Sequence, residues 1–400
     1  MKNQLKKITK KIKRKILVIP FVVFIRLVSP LLKIRFGIIG SNRIGHFLHA
    51  DWYFCEREYY GIPKRTLDLF YSFTAGTQIA NNAFFRLWKR KIIFIPFGNF
   101  IHGLVRYNQK WFGAHQFQIP QQYALPLQKR VAVAVLFRKT PCIEFSEKEE
   151  KRGEQYLSKL GIPDNGEFVC FHARDSAYLN TTFPNRQWKL HDVRDSNIDH
   201  CIPAVKLLTE EGYTAVRMGS VIEKKINPSL TGVVDYASTE LRNDFLDVYL
   251  SAKCRFFICS SSGIATMPEA FRRPMVYTNW HAIGQISNWV NNALVIPKKI
   301  FSRQINRVLT FKEIIDLEIA GTVDPDTLKR HQVEFVENTP EEISEVVLEM
   351  HQRLNGSWKT ETGDALRQER FWNIVGKGMF RASDLRIGAA YLRKNESLLC

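Results

Sequence analysis

Residues 247–280 read DVYLSAKCRFFICSSSGIATMPEAFRRPMVYTNW and determine the fold class of the second half of the chain. A helical pattern around Phe245–Ala252 precedes an apolar strand at Cys254–Cys259 and a serine-rich loop. A helix through Glu269 and a second strand at Met275–Thr278 follow. Strands that alternate with helices in this way predict a parallel α/β sheet with helices on its faces.

The same alternation continues on the amino-terminal side of this stretch. The further predicted strands are Lys33–Ile39, Glu167–Arg174, Thr214–Met218 and Gly232–Tyr236, and the further predicted helices are His46–Tyr60, Glu147–Leu160, Asn197–Glu211 and Pro340–Leu354. Gly161, Pro163 and Gly166 mark a junction between two domains. We therefore predict an α/β protein with two Rossmann-like domains that face a cleft, divided into segments 1–33, 34–162, 163–300 and 301–400.

The composition is that of a folded protein with one or two cores. Of 400 residues, 45% are apolar and 24% charged, which excludes disordered and collagen-like chains. The net charge of +19 is concentrated in the first third, since residues 1–35 carry eleven Lys or Arg and no acid, and residues 36–140 carry fourteen against four. This asymmetry predicts that the first third faces an anionic membrane surface or a polyanion such as nucleic acid.

Segment 1–33 combines a basic run at Lys2–Lys15 with an apolar run at Ile16–Leu32. Arg26, Ser29 and Lys33 would share one face of a helix, which favours a helix lying in the membrane surface. The alternatives are a helix packed on its own domain and a single membrane span. A second basic and aromatic tract at 84–112 fits a lipid headgroup layer, nucleic-acid bases, or a core strand with a solvated basic flank.

The seven cysteines are scattered singly along the chain and form no CxxC pair. This argues against a disulfide framework or a zinc site and fits a reducing cytoplasm. Cys170 and Cys259 lie in predicted strands, where we expect them to be buried as small apolar side chains.

The serine-rich loop of Ser260, Ser261, Ser262 and Gly263 follows a strand and opens a helix. Hydroxyls and backbone N–H groups at a positive helix end suit a diphosphate, and a plain helix cap without a ligand is the alternative. The loop is not a P-loop, because GxxxxGK[ST] is absent. Glu269 on the same helix would accept hydrogen bonds from ribose hydroxyls, or would be a solvated helix residue.

Another predicted strand ends in FHARDS at 171–176. The guanidinium of Arg174 is a fork of donors suited to phosphate, and His172 lies on the same strand face. A charged strand end of this kind is costly to bury without a function. Arg217 and Gly219 end the next strand in the same manner and are weaker candidates.

In the first half, SNRIGH at 41–46 follows the first predicted strand. A hydroxyl acceptor needs a general base, which either His46 or Asp51 can provide. A core or capping role is the alternative for His46 and for His49. GxSxG, HExxH and GxGxxG are absent, and the one DxD-like cluster, at 324–326, lies in a tail loop, so we expect no metal ion.

These motifs together resemble a family of inferred bacterial glycosyltransferases from surface-polysaccharide loci, which have the two-domain GT-B architecture. The resemblance covers roughly residues 34–354 and is carried by SNRIGHF at 41–47, VCFHARDSAY at 169–178, VRDSNIDHCIPAVKLLTEEGYTAVRMGS at 193–220, VVDYAST at 233–239, 247–280, and VENTPEEISEVVLEMHQRL at 336–354. The end of the FHARDS strand is also similar to that of inverting fucosyltransferases, in which the arginine contacts the donor diphosphate. That pattern has a second arginine where Asp175 stands here.

The resemblance implies a metal-independent hexosyl- or deoxyhexosyltransferase that moves a sugar from a nucleotide-sugar, its co-substrate, to a polyprenyl-linked glycan. Segment 34–162 would bind the acceptor, with His46 or Asp51 as base if the reaction inverts the sugar configuration; a retaining reaction would not need this base. Segment 301–400 would be a helical tail. Segment 163–300 would bind the donor through His172, Arg174, Arg217, Gly219, Ser260, Ser261, Ser262, Gly263 and Glu269, with Asp235 nearby and Arg174 stabilising the leaving group.

We expect a peripheral protein on the cytoplasmic face of the bacterial inner membrane, acting in O-antigen or capsule-type biosynthesis without a nucleic-acid partner. Two other functions remain open from the sequence. The first is a non-catalytic nucleic-acid-binding protein that uses the basic first third. The second is an inactive GT-B scaffold of a polysaccharide assembly complex.

Overall fold

The computed structural model describes residues 17–61, 64–72, 78–119, 140–164, 166–185, 187–227, 229–286, 289–322, 324–376 and 381–400. The chain divides into two compact units. The first contains Met1–Arg138 and Cys142–Glu144, and the second contains Lys139–Pro141 and Phe145–Cys400. Both units contain parallel sheets with helices, so the predicted mixed α/β class is confirmed.

The first unit contains a parallel sheet in the order β1-β2-β3. Its strands are β1 (Lys33–Ile38), β2 (Thr66–Tyr71) and β3 (Ile93–Phe94), and its helices are α1 (17–28), α2 (Leu48–Tyr60), α3 (Asn82–Lys89) and α4 (Gly98–Asn108). The first predicted strand and the helix after it are therefore confirmed. A short 3-10 turn at Ile44–Phe47 precedes α2.

The core of the first unit forms between α1, α4 and one end of the sheet. Val18, Val22 and Ile25 of α1 pack with residues that include Phe36 and Leu104. The part of α1 that the structure describes therefore packs on its own domain, which was one of the three alternatives. The basic run at 2–15 lies outside the described residues.

Arg26 does not lie on the water-facing polar stripe that the sequence predicts. Its Nε donates a hydrogen bond to Asn108 Oδ1 at 2.7 Å, and its Nη1 donates to the Phe112 carbonyl at 2.8 Å. Helical periodicity places Arg26 on one face of α1, but the tertiary fold brings the end of α4 against that face. Among the residues that the structure describes, no helix is long and apolar enough to cross a membrane.

The second unit is built on a seven-stranded parallel sheet in the order β13-β9-β8-β7-β4-β5-β6. The strands are β4 (Phe168–His172), β5 (Thr214–Arg217), β6 (Val233–Val234), β7 (Phe257–Ser260), β8 (Met275–Trp280), β9 (Ala293–Pro297) and β13 (Leu385–Ile387). A separate antiparallel sheet joins β10 (Lys299–Ser302) to β11 (Arg307–Val308) and β12 (Val333–Val336). Cys170 and Cys259 are buried in β4 and β7, as expected.

The helices of the second unit are α5 (Glu147–Lys159), α6 (Ala177–Thr182), α7 (Ile202–Glu210), α8 (Asp244–Lys253), α9 (Thr266–Ala270), α10 (Phe311–Asp316), α11 (Pro325–Arg330), α12 (Pro340–Leu354), α13 (Asp364–Val375) and α14 (Ala389–Lys394). The predicted bounds of α12 are confirmed. Its start is fixed by a capping box, in which Thr339 Oγ1 accepts from the Glu342 N–H and the Glu342 side chain accepts from the Thr339 N–H.

The chain divides before α5, whereas Gly161, Pro163 and Gly166, which predict the junction, lie after it. Phe145 stacks on Phe271 at a ring distance of 5.3 Å, and the Tyr249 hydroxyl donates to the Glu150 side chain at 3.2 Å. A Cβ atom at Gly153 would lie 2.1 Å from the Tyr249 ring, so glycine allows α5 to approach α8 closely. These contacts attach α5 to the second unit.

Residues 301–400 are more than the expected helical tail. Strands β12 and β13 lie in this segment, and β13 extends the main sheet by pairing in parallel with β9. The side chain of Asn338 also joins the segment to the sheet, because its amide donates to the Pro297 carbonyl at 2.8 Å. A strand of three residues, such as β13, leaves little pattern in a sequence, and it was therefore not predicted.

Candidate functional site

The main sheet reverses its strand order between β4 and β7. From β4 the chain adds β5 and β6 on one side and β7, β8, β9 and β13 on the other. Parallel sheets open a crevice at such a point, beyond the carboxyl ends of the strands. Arg174 follows β4, and its backbone N–H donates a hydrogen bond to Ser260 Oγ at the end of β7, at 2.8 Å. The fold thus joins the two strand ends that the sequence singles out.

The guanidinium of Arg174 is buried, and its two terminal nitrogens differ in their hydrogen-bond partners. Its Nη1 donates to the His191 carbonyl at 2.9 Å and to the carboxylate of Asp195. Its Nη2 is also buried, and no acceptor in the described ranges lies within hydrogen-bond distance of it. Burial of a charged donor without a partner is costly. An anionic oxygen at Nη2 would complete the fork.

Other basic side chains lie near Arg174, and together they form what we call the cation cluster: Arg174, Arg194, His281 and Lys298. His281 follows β8 and Lys298 follows β9, so both extend from the same edge of the sheet as Arg174. Arg194 ends a 3-10 turn, and its Nη1 lies 3.4 Å from His191 Nδ1. Lys298 Nζ donates to the Asp195 carbonyl at 2.6 Å. The segment 191–195 thus contains Arg194 and contacts both Arg174 and Lys298.

Burial and neighbouring positive charges lower the pKa values of three members of the cluster. Burial, followed by the charges of Arg194, Lys298 and Arg174, lowers the pKa of His281 to about 3. Burial also lowers the pKa of Lys298; the Glu337 carboxylate opposes this shift, and the Arg174 charge adds to it. Burial and Arg194 together lower the pKa of Arg174 to about 10. Arg174, Arg194 and Lys298 therefore carry like charges that a bound anion would stabilise, while His281 is neutral.

The serine-rich loop contributes backbone as well as hydroxyl groups. The Ser261 carbonyl accepts a hydrogen bond from Arg194 Nε at 2.9 Å, which fixes Arg194 against the loop. After Ser262 the chain forms a 3-10 turn at Gly263–Ala265 and then α9, which is only five residues long. A helix of this length offers only a weak dipole, so the positive charge of this region comes from the cation cluster.

Glu269 is buried, which excludes the alternative of a solvated helix residue. Its Oε1 accepts a hydrogen bond from the Tyr277 hydroxyl at 2.6 Å, and its Oε2 accepts from Trp289 Nε1 at 3.3 Å. These bonds connect α9 to β8 and to the segment before β9. The role of Glu269 toward a ribose stays a prediction.

The remaining candidates of the second unit lie at the ends of β4 and β5. Burial lowers the pKa of His172 to about 4, and its Nδ1 lies 3.0 Å from the Met218 carbonyl, so the neutral ring donates from Nδ1. Arg217 is fully buried, and its Nη1 donates to Asp235 Oδ1 at 3.2 Å. Arg217 and Asp235 thus form an ion pair that connects β5 to the residue after β6. Gly219 lies beside His172, whose Nδ1 would be 3.9 Å from a Cβ atom there.

In the first unit, the loop after β1 positions His46. A Cβ atom at Gly40 would lie 2.8 Å from His46 Nδ1, so glycine leaves room for the imidazole. Burial and the nearby Arg43 lower the pKa of His46, which keeps the half-buried ring neutral. Asp51 is 1% exposed. Of the two predicted bases, His46 is therefore the more accessible to a substrate.

Three members of the cation cluster were missed as site residues by the sequence analysis. His281 and Lys298 each follow an apolar strand, so the rule that selected Arg174 would have found both. Arg194 lies in a turn, and only the fold brings it to the cluster. In the part of the chain that the structure describes, no group of three or more His, Cys, Asp or Glu residues could hold a metal ion. Metal independence stays an expectation.

No protein-family model and no curated protein sequence matches the chain. Among solved structures, it is similar to a glycosyl transferase family 9 protein from Veillonella parvula DSM 2008, with 10% identity, 67% of this chain and 86% of that chain covered, and a TM-score of 0.42. It is also similar to E. coli ADP-heptose lps heptosyltransferase II, with 14% identity, 66% of this chain and 90% of that chain covered, and a TM-score of 0.36. For E. coli heptosyltransferase WaaC with ADP, the identity is 12%, the coverage is 66% of this chain and 91% of that chain, and the TM-score is 0.36. Likeness at this level does not establish a shared fold or activity.

Proposed function

We propose that the protein is a glycosyltransferase that moves a sugar from a nucleotide-diphosphate sugar to a hydroxyl acceptor. The observation that carries the proposal is the cation cluster at the carboxyl edge of the main sheet. Arg174 presents a buried Nη2 without an acceptor among the described residues, and burial, followed by the charge of Arg194, lowers its pKa. A diphosphate supplies several anionic oxygens at one place, which matches a cluster of several cations.

The chemistry that such a cluster supports is departure of a diphosphate. When the bond between the anomeric carbon and the diphosphate oxygen breaks, the electron pair stays on that oxygen as negative charge. Arg174, Arg194 and Lys298 would stabilise this charge more strongly in the transition state than in the bound donor. Their hydrogen bonds to Asp195, Ser261 and the 191–195 backbone hold the side chains in place before the donor arrives.

We propose His46 as the general base that accepts the proton of the acceptor hydroxyl in an inverting reaction. A base must be unprotonated at neutral pH and accessible to its substrate. The lowered pKa of His46 meets the first condition, and its partial exposure meets the second. Asp51, the other predicted base, is buried and is a weaker candidate.

The finer assignment rests on the sequence. The resemblance to glycosyltransferases of surface-polysaccharide loci supports a polyprenyl-linked glycan as acceptor and a role in O-antigen or capsule-type biosynthesis. The basic first third supports peripheral attachment to an anionic membrane surface, at the cytoplasmic face of the inner membrane. We propose a metal-independent reaction with a nucleotide-sugar as co-substrate.

The experiment is a thermal-shift screen of the full chain against UDP, GDP, dTDP, ADP and CMP. We expect one nucleotide, at about one hundred times its Kd, to stabilise the protein by roughly 2.7 kcal/mol, a rise in Tm of several degrees. Arg174→Gln should abolish the rise. Arg303→Gln is the matched control, because Arg303 is an exposed arginine of the same unit that pairs with Glu334.

If no nucleotide changes the Tm at millimolar concentration, the proposed function is wrong. If a nucleotide raises the Tm of Arg174→Gln as much as that of the wild type, a nucleotide site exists elsewhere and the cation cluster is wrongly assigned. With the nucleotide identified, the matching nucleotide-sugar is then incubated with lipid-linked glycans, and release of the nucleoside diphosphate is measured against sugar incorporation.

A further inference from the structure

The helix α1 has two apolar faces, and only one of them is covered. Val18, Val22 and Ile25 are buried in the core of the first unit. On the other side, the side chains of Phe24, Leu27 and the following Leu31 are 60%, 73% and 69% exposed. Leu17 and Phe21 are also exposed. An apolar face of this length on a folded domain is uncommon unless something binds to it.

The helix is fixed to its domain by more than apolar packing. The Arg26 guanidinium lies 5.3 Å from the Trp111 ring and 5.0 Å from the Phe117 ring, in addition to its bonds to Asn108 and Phe112. Arg26 thus helps to hold α1 on its domain from the side opposite the exposed apolar side chains. The outer face of α1 is left apolar, on a helix held firmly by the core.

An exposed aromatic ring lies beside the first half of α1. Phe21 packs edge-on against Phe100 of α4, 5.3 Å between ring centres, and Phe97, the residue before α4, is 78% exposed. We call these residues together the apolar patch: Leu17, Phe21, Phe24, Leu27, Leu31 and Phe97.

The charge around the apolar patch has one sign. Among the described residues of this part of the chain, 17–50 contain four Lys or Arg and no Asp or Glu. On α4, which packs against α1, and directly after it, the exposed charged side chains are also basic: Arg106 and Lys110. A surface with apolar side chains beside basic ones matches the acyl boundary and the anionic headgroups of a bilayer.

We propose that the apolar patch is the surface by which the protein lies on an anionic lipid bilayer, with α1 parallel to the membrane plane. The patch inserts its apolar side chains at the level of the headgroups, while the surrounding Lys and Arg contact lipid phosphates. This inference deepens the membrane contact of the proposed function and rests on it. It adds the location, because the inserted face is the side of α1 opposite Val22.

The test compares binding to sedimented vesicles of mixed phosphatidylcholine and phosphatidylglycerol with binding to vesicles of phosphatidylcholine alone. The variant replaces three exposed side chains that do not belong to the core, as Phe24→Ser, Leu27→Ser and Leu31→Ser combined. We expect wild-type protein to bind the mixed vesicles preferentially and the triple variant to bind them at least about tenfold more weakly.

The matched control replaces three exposed apolar side chains of the second unit that are 48%, 48% and 50% exposed, as Leu190→Ser, Ile305→Ser and Leu366→Ser combined. It should bind mixed vesicles like the wild type. A wild-type Tm for the triple variant shows that α1 still packs. The nucleotide thermal shift, measured on the same samples, reports separately on the proposed function and should be unchanged.

Equal vesicle binding by the wild type and the triple variant would overturn the proposal. So would equal binding of wild-type protein to the two kinds of vesicle. Sedimentation velocity without lipid tests whether a second copy of this chain binds to the patch instead. If the wild type forms a dimer that the triple variant does not form, and neither binds vesicles, the patch is an interface between two copies of this chain.

Discussion

The first prediction concerns the stability of the second unit as the pH falls, with His281→Gln as the perturbation. His281 lies in the cation cluster, where burial and the charges of Arg194, Lys298 and Arg174 lower its pKa to about 3 from the ordinary value of 6.5. Between these two values the unfolded chain binds a proton at this site and the folded chain does not. The stability of the folded protein therefore decreases as the pH falls through this window.

The magnitude follows from the difference between the two pKa values. At pH 5 the imidazole is almost fully protonated in the unfolded chain and almost fully neutral in the folded one. Since each pKa unit corresponds to about 1.4 kcal/mol, His281 alone should lower the free energy of unfolding by about 2 kcal/mol between pH 7 and pH 5. Glutamine has no titrating group, so His281→Gln should lose about 2 kcal/mol less over the same interval.

The assay is urea unfolding at pH 7 and at pH 5, followed by a probe specific to the second unit. The matched control is His331→Gln, which removes a half-buried histidine of the same unit that is not a member of the cluster. Both variants and the wild type are measured at the two pH values. A wild-type pH dependence for His281→Gln would refute the electrostatic account of the cluster.

Three further predictions test packing and catalysis. Gly153→Ala places a Cβ atom 2.1 Å from the Tyr249 ring, so it should destabilise the second unit by about 1–3 kcal/mol in urea unfolding, and Gly153→Ser should do at least the same. Asn338→Ala removes an amide that donates to the Pro297 carbonyl and accepts from the Asn279 N–H at 2.6 Å. It should lower the free energy of unfolding by about 3 kcal/mol in the same assay, and a loss under about 0.5 kcal/mol would contradict this. His46→Gln should lower sugar transfer about 10²–10⁴-fold with an unchanged nucleotide thermal shift, and unchanged transfer would exclude His46 as the base.

The strands of the main sheet were largely predictable, because their sequences are continuous apolar runs that end in polar loops. FVCFH of β4 and FICS of β7 are buried on both faces, which is the typical pattern of parallel strands. The position of α5 was not predictable. Glycines and a proline after it resemble a linker, but the contact of Gly153 with Tyr249 joins α5 to the second unit. A contact between residues so distant in sequence leaves no local signal.

The candidate site was predictable where its residues end strands. Arg174 and Ser260 were selected for that reason, and the bond from the Arg174 backbone N–H to Ser260 Oγ brings the two strand ends together. The direction of a side chain was harder to predict. Arg217 ends a strand as Arg174 does, yet it pairs with Asp235, and Arg26 turns inward because α4 packs against its face. In each case the deciding partner comes from another element, so the strand or helix pattern alone does not reveal it.

The central claim is that the cation cluster binds a diphosphate, and equilibrium binding tests it most directly. Isothermal titration of the full chain compares the nucleoside diphosphate that raises the Tm with the monophosphate of the same nucleoside. We predict that the diphosphate binds at least about tenfold more tightly and that Arg194→Gln reduces this advantage, because the additional phosphate contacts the cluster. Equal affinities for the two nucleotides, or an advantage that persists in Arg194→Gln and Arg174→Gln, would contradict the account.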